Sequence, residues 1–377
     1  MSRKIASHYT LLNGKLERNI VVEVDDSRTI TAIEHVEAPD SCHGVEFYGG
    51  ILIPGMVNAH CHLELSYLRG AIDEGLGFAG FAGEIGRVRN NYTPEERLRA
   101  AANADAQMWE EGIEAVADIA NDDLIMPIKE QSKIRYKTMF ELFGLLKEDA
   151  RHECTLAAKY ADASVTPHST YSLQDAPLKE ICHSGEAPIS LHFLESDDEI
   201  ELYQRRGSLY AWYERMGWQC DFLHYGMPAE RVVESVPKGR KVMLVHGCKA
   251  TPIDIMTLDN HFDTPPTWVI CPESNRYISG SKPPVELFRM MGSKVAIGSD
   301  SLASARSLSM MTNMRILDNI PIEELLCWAT INGAKALGLE QELGSIEVGK
   351  RPGLVQLFGV DFEHMHLTEE SFFQLIF

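Results

Sequence analysis

From residue 51 onward the chain alternates short apolar runs with longer amphipathic stretches, and this alternation constrains the fold more than any other feature. Eight runs read as strands: 51–53 leading to Asn58, then 113–119, 134–143, 164–166, 189–193, 241–245, 268–271 and 294–297. They are short, apolar throughout and rich in branched residues, as parallel strands covered on both faces must be. The intervening stretches carry helix signals. Thr93-Pro94-Glu95-Glu96 supplies an N-cap, a proline at the first helical position and a capping box, and Gly112 supplies the stop. Thr251-Pro252 opens a second helix in the same way, and 322–337 reads as a third, ended by Gly338. Eight strand–helix alternations over residues 51–343 point to an α/β fold of the (β/α)8 TIM-barrel type. An open doubly wound sheet would want a glycine-rich phosphate loop after its first strand, and Gly55-Met56-Val57-Asn58 does not supply one.

Both ends of the chain differ in texture from this middle. Ile20-Val21-Val22-Glu23-Val24 and Thr29-Ile30-Thr31-Ala32-Ile33 are β-branched runs around the turn cluster Asp25-Asp26-Ser27. The stretch from Gly344 through Leu357 is again β-like. Residues 1–50 and 344–377 are therefore expected to form one small β-sandwich domain beside a catalytic barrel of residues 51–343.

Composition narrows the partners. Thirty-five basic against 55 acidic residues leave a net charge of −20, which argues against nucleic acid. No apolar run approaches the roughly 20 residues of a membrane span, and no secretory signal follows Met1. The eight cysteines form no CxxC pair and suit a reducing cytoplasm. A small-molecule substrate and a homodimer, the commonest closed assembly, are the expected partners.

The 14 histidines are the informative residues, because several close apolar strands. A barrel places its active site at the C-terminal ends of its strands. His60 and His62 end the first, and residues two apart in an extended strand face one way. His192 ends the fifth strand, His246 the sixth and Asp300 the eighth. Three imidazoles and a carboxylate suit one divalent ion, zinc first and iron as the alternative. Such a site activates water at neutral pH, and Glu195, three residues beyond His192, is a candidate general acid/base.

Pro54-Gly55-Met56-Val57-Asn58-Ala59-His60-Cys61-His62-Leu63-Glu64 resembles the signature of the amidohydrolase superfamily. The segments from Ala329 to Leu339 and from Gly344 to Lys350 are similar to it as well. Within that superfamily, His192-Phe193-Leu194-Glu195, Val245-His246-Gly247, Cys271-Pro272-Glu273-Ser274-Asn275 and Gly298-Ser299-Asp300-Ser301 resemble the cytosine deaminase, guanine deaminase and triazine chlorohydrolase branch. The resemblance implies that His60, His62, His192 and Asp300 hold one metal. It implies that His246 hydrogen-bonds the attacking water, that Glu195 protonates a ring nitrogen, and that Asp300 takes the water's proton and passes it to the leaving group. Binuclear branches carry a lysine on the fourth strand. Val165-Thr166-Pro167-His168 has none, which favours a single ion, and His168 matches a substrate-contacting histidine of the branch. Glu273 stands where the branch often has arginine, and Lys350-Arg351-Pro352-Gly353 replaces a usual Ala-Asp-Leu run, so a locally altered β unit is expected there.

Substrate contacts are the least constrained. The glycine-rich stretch after the first strand, with Gly75, Gly77, Gly80 and Gly83, reads as a mobile loop over the site. Arg69 and Glu84 from it are candidate substrate contacts, with Ser301, Lys249 and Tyr171 as further ones. The leading expectation is a hydrolytic deaminase of an amino-substituted purine, pterin, pyrimidine or nucleoside-like compound, for which aminodeoxyfutalosine is one specific candidate. The alternatives are hydrolysis of another C–N or C–Cl bond on the same site, in the manner of imidazolonepropionase or a chlorohydrolase, and a non-catalytic binding barrel.

Overall fold

A computed structural model describes residues 2–377. Five strands come first: β1 (Arg3–Leu12), β2 (Lys15–Glu17), β3 (Ile20–Val24), β4 (Ile30–His35) and β5 (Val45–Pro54). Eight short strands follow: β6 (Met56–Cys61), β7 (Ile113–Ala120), β8 (Arg135–Leu142), β9 (Ala163–Pro167), β10 (Ile189–Phe193), β11 (Val242–His246), β12 (Thr267–Ile270) and β13 (Lys294–Ile297). Two longer strands, β14 (Leu354–Asp361) and β15 (His366–Leu375), close the chain's secondary structure.

The eight middle strands are all parallel and lie in sequence order, in two sheets of four, β6-β7-β8-β9 and β10-β11-β12-β13. Hydrogen bonds join the sheets at both edges. At the β9–β10 seam, His192 N donates to the His168 carbonyl at 2.8 Å, and Ser190 N donates to Thr166 Oγ1 at 2.9 Å. At the β13–β6 seam, Ser299 N and Asp300 N both donate to the His60 carbonyl, at 3.0 and 3.1 Å. The strands thus run in order around a closed ring with helices between them. Every residue of β6, β7, β10, β11 and β12 is buried, so both faces of these strands are covered.

Both chain ends enter one seven-stranded sheet, ordered β15-β14-β5-β1-β3-β4 with β2 paired to β1. Ile5, Val22, Val24, Ile30, Leu52 and Leu354 form its buried core. The first ring strand differs from the single run expected between residues 51 and 58. Residues 51–54 belong to β5 in the terminal sheet, and β6 begins only at Met56. Gly55 is the crossing point, because a Cβ there would lie 2.1 Å from Glu114 Cγ and 2.5 Å from the Pro352 carbonyl oxygen. The stretch 322–337 is also two helices, Ile322–Ala329 and Ile331–Leu337. At the break Thr330 Oγ1 donates to the Leu326 carbonyl at 2.6 Å, a side-chain bond that competes with helical continuation. The glycine-rich segment is not a loop throughout: Gly77–Val88 is helical. Among the described residues no helix is long and apolar enough to cross a membrane, and the eight cysteines are free.

The helix Pro94–Glu111 carries the expected capping box, with Glu96 N donating to Thr93 Oγ1 at 3.2 Å and Thr93 N to Glu96 Oε2 at 2.8 Å. Deeper in, Lys129 from the helix Met126–Gln131 ion-pairs with Asp118 of β7, both fully enclosed. Lys129 Nζ also donates to Thr138 Oγ1 at 3.1 Å, and Asp118 Oδ1 accepts from Leu63 N at 2.8 Å. The pair ties β7, β8 and the chain just beyond His62 together. Removing one partner strands a buried charge. Lys129→Met is expected to cost about 3–5 kcal/mol, and Thr93→Ala only about 1 kcal/mol. Denaturant midpoints of the two variants, measured side by side, check this order.

Candidate metal centre and its cavity

Four residues from three seams and strand ends converge at the C-terminal mouth of the ring. His60 lies on β6 and His62 one residue past its end, on the same side of the extended chain. His192 is the fourth residue of β10, and Asp300 follows β13. His62 Nε2 is 3.3 Å from His192 Nε2 and 3.6 Å from Asp300 Oδ1, and His60 Nε2 is 3.8 Å from that same oxygen. Ligand atoms of His60, His62 and Asp300 lie within 4.8 Å of one another, as do those of His60, His192 and His246.

Local sequence explains the convergence. Asn58 Nδ2 donates to Ser299 Oγ at 2.7 Å, and Asn58 Oδ1 accepts from Ser299 N at 3.0 Å, locking β6 to the chain after β13. Gly298 makes the approach feasible: a Cβ there would meet His60 Cβ at 2.8 Å. Three non-glycine residues at these strand ends hold left-handed backbone, Leu194 (φ +49°), His246 (+76°) and Asp300 (+59°). Such backbone is unfavourable for ordinary residues and persists where surrounding contacts over-determine it.

The donor set fits a divalent cation. His60 Nε2 is buried with no hydrogen-bond partner, although it faces Asp300 and the other imidazoles. Burial, reinforced by the neighbouring imidazoles, holds the His60 pKa well below its ordinary value, and burial acts the same way on His62 and His192. Neutral imidazole is the form that ligates metal. For Asp300, burial works to raise the pKa, but the His62 and His246 imidazoles and the Ser274 hydroxyl prevail and lower it. Its Oδ2 accepts from Ser274 Oγ at 2.5 Å and Ser304 Oγ at 2.8 Å, which leaves Oδ1 turned toward the histidines. The Nδ1 of His192 faces the His168 carbonyl oxygen at 3.0 Å, an outer hydrogen bond that fixes the ring and leaves Nε2 to the centre.

Glu195 and His246 stand beside this cluster. Glu195 Oε1 is 3.8 Å from His246 Nε2, and His246 Nδ1 pairs with Asn275 Nδ2 at 3.0 Å. Burial lifts the Glu195 pKa to about 7, against the lowering effect of His192. A carboxyl poised there can both give and take a proton near neutral pH. His168 stacks on His192, with ring centroids 4.5 Å apart.

A cavity of about 740 Å³ opens above the cluster. His62, His192, Glu195, His246, Asp300, His168, Ser301 and Tyr171 all line it. Arg69 and Glu84 do not. The helix Gly77–Val88 presents Phe78, Phe81, Ala82 and Ile85 to the cavity, a 3.6-residue stripe that leaves Glu84 on another face, paired with Arg87. Arg69 is exposed and donates to the Arg306 carbonyl at 3.1 Å. Lys249 also points elsewhere, to Asp197 at 2.8 Å. Glu273, placed where the related branch often has arginine, is a buried brace accepting from Arg306 N at 3.1 Å and is not part of the lining.

Sequence reasoning missed several lining residues. Glu141, at the end of β8, satisfies the same rule that singles out His192, a polar residue closing an apolar strand. Glu64 follows His62 closely, and Arg89 continues the helical stripe. Phe143, Trp212, Trp218 and Leu146 form an aromatic and apolar wall with no local sequence signature.

Comparison with known proteins agrees with this architecture. The chain is 27% identical to an adenosine deaminase of Helicobacter pylori over 379 aligned positions, covering 94% of this chain and 88% of the relative. The solved structure of Helicobacter pylori aminofutalosine deaminase in complex with methylthio-coformycin superposes with a TM-score of 0.82 at 24% identity, covering 96% of this chain and 93% of that one. An adenosine deaminase from Xanthomonas campestris with bound zinc superposes with a TM-score of 0.74 at 21% identity, covering 94% and 84%. The amidohydrolase family model matches residues 51–366, most of the chain, and the protein belongs to the amidohydrolase family.

Proposed function

We propose that the protein hydrolytically deaminates an amino-substituted N-heterocycle carried by a nucleoside-like compound, with release of ammonia. The observation that carries this reading is the meeting of His60, His62, His192 and Asp300, buried together, with a buried Glu195 beside them, where His62, His192, Glu195 and Asp300 line one cavity. His60, His62, His192 and Asp300 are the proposed ligands of one divalent ion, zinc in the first instance, as in the Xanthomonas campestris enzyme. When bound, such an ion supplies Lewis-acid activation of water at neutral pH.

The chain's own groups supply the proton traffic. Glu195 is buried at the cavity wall, where it can protonate a ring nitrogen and so weaken the aromatic resistance to attack. Asp300, ionised and held by two serine hydroxyls, accepts the proton of the attacking water through Oδ1 and delivers it to the departing amine. His246, positioned by Asn275, hydrogen-bonds the oxygen that becomes the carbonyl. The relatives named adenosine deaminase and aminofutalosine deaminase support a nucleoside-like substrate. The cavity volume suits a drug-sized ligand. Its aromatic and aliphatic outer wall, with Phe78, Phe143, Trp212 and Trp218, suits an apolar substituent beyond the sugar. A cytoplasmic homodimer completes the proposal, and light scattering at twice the chain mass is the expected assembly result.

Metal-loaded protein is expected to release ammonia from a panel of adenine nucleosides, and product mass spectrometry should show the amine replaced by a carbonyl. Absence of turnover across the panel counts against the proposal. Glu195→Gln is expected to lower kcat by about 10²–10⁴ while keeping its zinc, as read by elemental analysis. His60→Ala is expected to lose zinc. Chelation should lower the Tm of the wild type but leave that of His60→Ala unmoved, because only a protein that binds the ion is stabilised by it.

A further inference from the structure

Away from the cavity, one further set of metal-type donors meets among the described residues: Asp361, His364 and His366, at the tip of the β14–β15 hairpin. Nothing in the chemistry described uses them. The sheet itself brings two of them together. Asp361 ends β14, His366 opens β15, and the antiparallel register pairs them directly across the two strands. Opposed residues share one face of the sheet, with Cβ atoms about 5 Å apart. His364 comes from the turn between them, two residues before His366.

Contacts along the hairpin hold that register. Thr368 Oγ1 and Ser371 Oγ both donate to the Gly359 carbonyl, at 2.7 and 2.8 Å. Arg315, at the end of the helix Met310–Arg315, donates to the Thr368 carbonyl at 3.1 Å and to the Glu369 carbonyl at 2.7 Å. The carboxylate is oriented as well. Asp361 Oδ1 accepts from Glu363 N at 2.9 Å and from His364 N at 3.2 Å, which leaves Oδ2 turned to the rings. Oδ2 lies 2.9 Å from His364 Nδ1 and 3.9 Å from His366 Nε2. One donor atom from each of the three residues falls within 4.8 Å of the others.

These separations suit a transition-metal ion. Donors bound at about 2.0–2.2 Å in a tetrahedron stand roughly 3.3–3.6 Å apart. In the buried cluster the corresponding distances run from 3.3 to 3.8 Å. The side chains of His364 and His366 are 63% and 49% exposed, so rotation about their χ angles can close the remaining difference. The Asp361–His364 contact alone would be an ordinary ion pair. His366 is beyond hydrogen-bond reach of the same oxygen, and an ion among the three engages both rings at once. His364 and His366 also line a surface concavity shared with Asp318, Glu323 and Glu369, against one cation, Arg315. That balance of charge draws cations towards the rings. Two imidazoles and a carboxylate select zinc, nickel or copper over calcium and magnesium, which prefer oxygen ligands.

We propose that Asp361, His364 and His366 form a second metal site, which takes a divalent transition-metal ion and clips the tip of the β14–β15 hairpin. It is separate from the cluster of His60, His62, His192 and Asp300, and it stands whether or not the protein is a deaminase. Three exposed donors hold an ion more weakly than four buried ones, so this site fills with added metal and empties on dialysis.

The test is a calorimetric titration of dialysed, full-length protein with zinc. The wild type is expected to take up one more equivalent per chain than His364→Ala/His366→Ala. Asp361→Asn keeps both backbone hydrogen bonds through its side-chain carbonyl but loses the anionic donor. It should weaken uptake of that equivalent by at least about tenfold, as much as losing an outer partner of a metal ligand costs. If the double variant does not fold, Asp361→Asn decides alone. Equal zinc uptake by the wild type and the double variant overturns the proposal. So does unchanged affinity in Asp361→Asn, which marks the uptake as adventitious binding to surface groups. Failure of the protein to release ammonia from any nucleoside overturns the proposed function and leaves this result untouched.

Discussion

Closure of the strand ring at the β13–β6 seam is the constraint on which the rest depends. The His60 carbonyl accepts two successive amides from the far end of the ring, and Asn58 binds both the backbone and side chain of Ser299. The same short stretch of backbone thus serves as a strand edge and as the carrier of two imidazoles. Asp300 is nearly 240 positions away in sequence, yet its placement beside His60 and His62 follows from ring closure alone. Coordination geometry on such a fold is a property of the sheet, with little left to side-chain adjustment.

Electrostatics at the mouth of the ring is the second organising element. Burial holds the imidazoles below their ordinary pKa, whereas the His62 and His246 rings and the Ser274 hydroxyl hold Asp300 below its own against the same desolvation. Glu195, with fewer compensating donors, is left near neutrality in its proton affinity. Burial also raises Glu64 to about 7 and Glu141 to about 8. Carboxyls with different fates in one cavity are how a single fold separates acid, base and ligand roles.

Much of this was legible in the sequence because one rule, a polar residue closing an apolar strand, coincides with the geometry of a parallel ring. It finds His60, His192, His246 and Asp300. It applies equally to Glu141, but the run 134–143 hides that residue, since Phe143 lengthens the apolar stretch past the strand's true end at Leu142. Helix orientation was less legible. Glu84 and Arg89 lie on one glycine-rich segment, and only the angular position on the helix decides that Arg89 lines the cavity and Glu84 does not. The division at Gly55 is a tertiary effect, set by Glu114 and Pro352 from distant parts of the chain. The aromatic wall of Trp212 and Trp218 arises from long-range packing that no local window contains.

The weaving of both chain ends into one sheet has a consequence for biosynthesis. β5 is flanked by β1 on one side and β14 on the other, and it continues through Gly55 directly into β6. During translation β5, which leads directly into the strand carrying His60, lacks one of its two sheet neighbours until residues 354–361 have emerged. The entry to the ring's first strand is therefore braced late, with His60 and His62 made early just beyond a strand that waits on nearly the last one to be synthesised.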